Sequence, residues 1–193
     1  MIKQIIIETL IKPWSLITMA IFIVIRIIYL KKKNKKIIIY KELLIMLLII
    51  YLFSLHYILT FKSMKYSNNF LPFSEIFRYS LNSKLFYKNV VGNLVIFIPF
   101  GIYISYYLKI KKTLTITIFS AISSLVIEII QPLIGRVFDI DDIILNTLGG
   151  IIGLLILKIT FKIIDIFPTF LKNPIIYNII IISLLSIFII YLI

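Results

Sequence analysis

Residues 123–153 read SSLVIEIIQPLIGRVFDIDDIILNTLGGIIG, and they decide the fold because acids, amides and one arginine crowd here between two strongly apolar segments. A carboxylate such as Glu128, three residues before Gln131 in an apolar run of helical length, is expensive to place in lipid and faces a protein interior or a wet cavity. Past the break at Pro132 and Gly135 come Arg136, Asp139, Asp141, Asp142 and Asn146, in a chain otherwise dominated by Ile and Leu. The stretch reads as two membrane helices joined by an acidic loop, with the remaining sequence as support.

The 193 residues are 61% hydrophobic with a mean hydropathy of +1.10, well above the roughly 45–50% apolar share of soluble domains. Such a chain is an integral membrane protein. Its length fits a single membrane domain, residues 1–193, an all-α polytopic bundle of about six spans, five being the alternative, at ~20 residues each. The formal charge of +13 would suit a nucleic-acid binder, but the lysines stand between apolar spans, where they set topology and meet anionic headgroups. Membrane lipids are therefore the expected partners, and nucleic acid is not. With no cysteine and one histidine, His56, disulfides, thiolate chemistry and two-histidine metal sites are excluded. His56 lies inside a span and receives no role.

In chain order, residues 1–12 mix Lys3, Gln4, Glu8, Thr9 and Lys12 with isoleucine and suit an amphipathic interfacial lead-in. Spans are predicted at about 13–30, 43–61, 90–108, 113–131, 143–158 and 175–193. The first is followed by Lys31-Lys32-Lys33-Asn34-Lys35-Lys36 and not by a small-residue cleavage site, so it reads as a retained helix. In the long connection after the second span, Asn69–Phe73 (NFLPF) forms a proline turn, and Ser74-Glu75-Ile76-Phe77 a capped amphipathic short helix at the membrane surface. Pro99 predicts a kink in the third span, and Gly149 and Gly153 stand at small-xxx-small spacing. The fourth and fifth helices are expected to pack closely, with Ser120 or Ser124 against the Gly149–Gly153 face.

Placing Lys31–Lys41 in the cytoplasm collects twelve basic residues inside, with Lys109, Lys111, Lys112, Lys158, Lys162 and Lys172 joining Lys31, Lys32, Lys33, Lys35, Lys36 and Lys41. Eight remain opposite: Lys3, Lys12, Lys62, Lys65, Arg78, Lys84, Lys88 and Arg136. A plasma-membrane protein with both termini and the 135–142 loop extracytoplasmic follows. Independently of sidedness, Asn93 lies about one turn into the third span, Glu128 about one turn before the end of the fourth, and Asn146 about one turn into the fifth. Alternating directions bring all three to one surface at ~5 Å depth, where Arg136, Asp139, Asp141 and Asp142 cap the same end. Ser124 with Glu128, and Asp142 with Asn146, share helix faces at i, i+4 spacing.

The polar set Asn93, Ser124, Glu128, Gln131, Arg136, Asp139, Asp141, Asp142 and Asn146 admits three chemistries. In a purely structural one, Arg136 neutralises Asp139 or Glu128, while Asp141 or Asp142 caps the fifth helix; a simple loop needs one such cap, not four carboxylates. A divalent cation is the second, because hard ions take carboxylate and amide oxygens, with Glu128, Asp139 and Asp142 as candidate ligands; no other cofactor is expected. Catalysis with Glu128 as base is the third, but no phosphatase motif, phosphate-binding loop or serine triad is present, and no catalytic residue is assigned. Arg136 is expected to partner the acids, since its guanidinium fork holds two carboxylates, or one and a ligand phosphate, in a geometry lysine does not match.

The blocks Asn93–Gly101 (NLVIFIPFG), Ile127–Gln131 (IEIIQ) and Gly135–Asp142 (GRVFDIDD), the last running into Asn146–Gly150 (NTLGG), resemble in this order the signature of VanZ-like membrane proteins, with Asn69–Phe73 as a further block. The resemblance covers about residues 70–155. It implies a small polytopic protein of the bacterial cell envelope, associated in the founding member with low-level resistance to the glycopeptide teicoplanin. It carries across no catalytic residue, and it does not imply that this copy confers resistance. The expected function is binding or altering an envelope component, be it an envelope lipid, a lipid-linked precursor or a lipoglycopeptide, at an outward-facing pocket without turnover. The alternative is a metal-dependent membrane enzyme acting on a lipid or lipid-linked cell-wall intermediate. A transporter finds no inverted internal repeat to support it.

Overall fold

The computed structural model describes residues 13–34, 38–60, 67–79, 81 and 83–192. The lead-in expected over residues 1–12 lies outside them. The described residues are helical, with no strand beyond one isolated bridge. Helix α1 spans Pro13–Lys32, α2 Ile39–Thr60, the short α3 Ser74–Arg78, α4 Lys84–Tyr107, α5 Thr113–Ile130, α6 Ile140–Ile166 and α7 Pro174–Leu192. Among the described residues four stretches are long and apolar enough to cross a membrane: Ile39–His56, Lys84–Tyr107, Thr113–Ile134 and Ile140–Ile166. The fifth expected span continues well past Lys158, because nothing between Ile159 and Ile166 breaks a helix and the first stop is Pro168.

The chain forms two compact units. One takes the described residues up to Ile58 and from Ile166 onward, the other Leu59–Asp165. In the first, Pro13 opens α1 at the position where a missing N–H costs nothing. Near the other end of α1, Arg26 reaches Glu42 in the first turn of α2 through two bonds, Nε to Oε2 at 2.7 Å and a terminal nitrogen to Oε1 at 3.1 Å. The Tyr40 N–H donates to Asn178 Oδ1 at 2.8 Å, tying α2 to α7.

The second unit holds the sequence that decides the fold. Along α5 the buried residues are Ile116, Ser120, Ser124 and Glu128, one every fourth position, so a column of mostly polar groups faces inward. The opposite face, with Ile118, Ile122, Leu125 and Ile129, is exposed. A helix with its polar side in and its apolar side out suits a hydrocarbon solvent and not water.

Small residues set the packing of the other two long helices. A side-chain carbon at Gly101 of α4 would overlap the Gly150 backbone of α6, and one at Gly149 or Gly153 of α6 would overlap the carbonyl oxygens of Leu94 or Ile98. The Gly149–Gly153 face therefore meets α4, not α5 as its spacing beside the serines suggested. Gly150 is the residue that faces Ser120 of α5. Close backbone approach of this kind is what small-xxx-small spacing permits, and the spacing alone does not name the partner. Before this seam α4 carries a π-helical turn at Tyr87–Val91, closed by the Gly92 N–H on the Tyr87 carbonyl, and Pro99 sits within the helix.

A buried carboxylate cluster that docks a surface helix

At the end of α5 the helix tightens into a 3-10 turn, Gln131–Ile134, and stops at Gly135 with φ 79°. A left-handed residue there returns the chain towards the helix it has just left, and the Arg136 N–H closes the turn on the Gln131 carbonyl at 3.0 Å. Glu128, with 0% exposure, sits beneath this turn. One of its oxygens accepts from Gln131 Nε2 at 2.6 Å and the other from the Asp139 N–H at 2.9 Å. The charges of Asp142, Arg136 and Asp139 all act on it. Arg136, half-buried, thus stands within electrostatic reach of Glu128.

The three aspartates have separate tasks. Asp139 precedes α6, and its Oδ1 accepts the Asp141 N–H at 2.9 Å, the geometry of an N-cap. Asp142 accepts from Asn93 Nδ2 and so joins α6 to α4. Asp141 leaves its own helix altogether. Its Oδ1 accepts the Phe73 N–H, and its Oδ2 the Ile76 N–H at 3.3 Å, so it supplies the N-terminal cap of α3 from another part of the chain. The capped short helix expected from Ser74 is present, but its cap comes from outside: Phe73 stands at the cap position with φ 66° and no side-chain cap bond of its own, turning the free N–H groups towards Asp141.

The segment before α3 is fastened to the same loop. The Asn69 N–H donates to the Phe138 carbonyl at 2.8 Å, and the Asn69 carbonyl accepts the Ile140 N–H at 3.0 Å, a single parallel bridge. Asn69 Nδ2 donates to Asp139 Oδ1 at 2.9 Å, while Asn69 Oδ1 accepts from Leu71 N–H and Ser74 Oγ at 3.1 and 2.8 Å. Asn68 Oδ1 takes the Phe138 N–H at 2.9 Å, and the rings of Phe70 and Phe138 stack at 5.3 Å. Sequence reading placed Asn69 only in a turn. Its amide can satisfy two acceptors and two donors at once, which is the chemical signal that could have marked it.

All nine polar residues singled out in the sequence lie at this end. Asn146 Nδ2 donates to Ser124 Oγ at 2.8 Å, one layer below Glu128. Glu128, Gln131, Asp139, Asp141, Asp142 and Asn146 are each at most 7% exposed. Chemically the cluster is a hydrogen-bonded network, in which Glu128, Asp139, Asp141 and Asp142 each accept at least one N–H from the protein. Among the described residues no three His, Cys, Asp or Glu side chains stand in a metal-holding arrangement, while both Glu128 oxygens and one oxygen each of Asp139 and Asp142 accept protein hydrogens.

The cluster's own output is positional: it holds Phe70, Leu71, Phe73 and Phe77 at 66, 72, 49 and 83% exposure. The family model described as VanZ/LLP1 matches residues 38–164, well over half of the chain. This chain belongs to the VanZ family. A VanZ-family relative from Enterococcus faecium, named Protein VanZ, is 36% identical over 112 residues, covering 54% of this chain and 67% of its own length. The VanZ match begins upstream of the 70–155 blocks that carried the resemblance, taking in α2 and nearly all of α6. No solved structure matches the chain. The apolar helices and the family together make it a membrane protein in contact with lipid.

Proposed function

We propose that this VanZ-family chain acts in the bacterial plasma membrane as a binding protein without turnover. Its acid cluster presents the Phe70–Phe77 surface to the lipid portion of an envelope component, a lipid-linked precursor or a lipoglycopeptide, and so lowers susceptibility to teicoplanin-type drugs. The observation that carries this reading is Asp141, which spends both carboxylate oxygens on the backbone of the α3 segment. Both oxygens thereby anchor the α3 segment, a positional task that requires neither substrate nor ion. Exposed large aromatics beside a polar rim have the composition of an interaction surface. The experiment is to express the chain in a susceptible host and compare a lipoglycopeptide with a glycopeptide lacking the acyl chain. Protection against the first alone, lost in Phe77→Asp with the protein still in the membrane, supports the reading. Equal protection by Phe77→Asp removes it.

The same proposal has six spans, α1 and α7 being 20 and 19 residues long and apolar, with both termini and residues 135–142 extracytoplasmic. The basic side chains favour this sidedness. A cysteine at Val137 is expected to react with a membrane-impermeant maleimide in whole cells. Labelling at Asn34 instead, with Val137 reached only after lysis, inverts the topology.

A further inference from the structure

The other end of the Leu59–Asp165 unit contains a cavity of about 520 Å³ whose walls include Ser105, Leu154 and Phe161 and whose rim carries Lys109, Lys111 and Lys158. Lys158 lies sixteen residues after Asp142 on α6, or ~24 Å along the axis. The cavity therefore sits near the opposite membrane interface from the carboxylate cluster.

Three features set it apart from an ordinary basic loop. Ser105 is 1% exposed, and its hydroxyl has no hydrogen-bond partner among the described residues, although buried hydroxyls are ordinarily satisfied. The chain turns at Lys109 with φ 54°, while the Ile110 N–H bonds the Ser105 carbonyl at 2.9 Å. That is the helix-ending turn in which glycine is the residue that fits with least strain; lysine in its place keeps an ammonium at the cavity mouth. Tyr106 and Phe161 pair at 6.3 Å on the wall, an aromatic facing suited to the interfacial layer. Topology and the helix dipole alone ask for lysines at this end, but not for a cavity with an unsatisfied hydroxyl in its wall.

We infer that this cavity is a binding site for an anionic phospholipid, with the phosphate held by Lys109, Lys111 and Lys158, Ser105 hydrogen-bonding a headgroup or ester oxygen, and the acyl chains lying against Leu157 and Phe161. Charge complementarity fixes the sign of the headgroup. Size and lining fix the class: the volume falls in the ~300–1,000 Å³ range of small-molecule sites, whereas a free phosphate would leave the apolar wall bare.

The test uses the full chain in detergent, titrated with phosphatidylglycerol, phosphatidylcholine or inorganic phosphate, with retained lipid read by native mass spectrometry and melting by a thermal assay. Phosphatidylglycerol is expected to remain bound and raise the melting temperature, while the other two do neither. Lys109→Gly combined with Lys158→Gln should weaken its binding roughly tenfold or more, yet melt no lower than the parent without lipid. Ser105→Ala should weaken it by a smaller factor, and Lys162→Gln, on the same helix but outside the cavity wall, should leave it unchanged. Equal retention of phosphatidylcholine, equal stabilisation by inorganic phosphate, or unaltered phosphatidylglycerol binding in the double lysine variant would overturn the assignment.

Discussion

The two ends of the Leu59–Asp165 unit carry opposite charges and handle them in opposite ways. At the acidic end Glu128, Asp139, Asp141 and Asp142 are buried and accept hydrogen bonds from the protein, so their charges are spent on architecture. At the basic end the lysines are exposed and a buried serine hydroxyl has no partner among the described residues. Buried polar networks rigidify when fully satisfied, whereas exposed flexible charges contribute little to stability and remain available to others. The acidic end thus reads as a clamp and the basic end as a receptor, both hung from one glycine seam.

Breaking the seam should ruin both ends together, which makes it the largest expected effect. Gly101→Leu or Gly153→Leu drives a side chain into the backbone of the facing helix, and the expected loss is above ~3 kcal/mol, seen as failure to recover a monodisperse protein. Normal recovery of either variant would show that α4 and α6 do not rely on this contact. Next in size is the clamp alone: Asp141→Ala leaves the Phe73 and Ile76 N–H groups uncapped and should cost about 1–3 kcal/mol. Hydrogen exchange at those two amides should quicken while the Gly149–Gly153 region stays protected; unchanged exchange would release Asp141 from its role. The smallest effect has the reverse sign. Lys109→Gly relieves a left-handed lysine and should stabilise by about 1 kcal/mol in lipid-free detergent, so a lower melting temperature would mean the lysine side chain supports the fold.

Several of these contacts were legible in the sequence and several were not, and the division follows chain distance. Fourfold spacing of Ile116, Ser120, Ser124 and Glu128 marks the inward face of α5, and matched depth brings Asn93, Glu128 and Asn146 to one end, because both are consequences of 1.5 Å per residue. Local rules also place a cap before α6, although Asp139 fills it and not Asp141 or Asp142. Asp141 capping α3, and Asn69 bridging to Phe138 and Ile140, join residues 65 to 71 apart; no periodicity reports such pairs. Arg26 with Glu42 went unnoticed for a different reason. They lie on separate helices across a loop, 16 residues apart, where i, i+4 reasoning does not reach.

Helix α6, at 27 residues, has a consequence of its own. Its length of ~40 Å exceeds a hydrocarbon layer of ~30 Å by nearly two turns. A rod too long for its slab either leans or carries its surplus into the headgroups. Lys158, Lys162 and Asp165 sit in that surplus, so its final turns belong among the headgroups, and swelling or thinning of the bilayer alters how many of them are wet. A membrane-thickness dependence is thereby written into the helix that also starts the acidic clamp and walls the basic cavity.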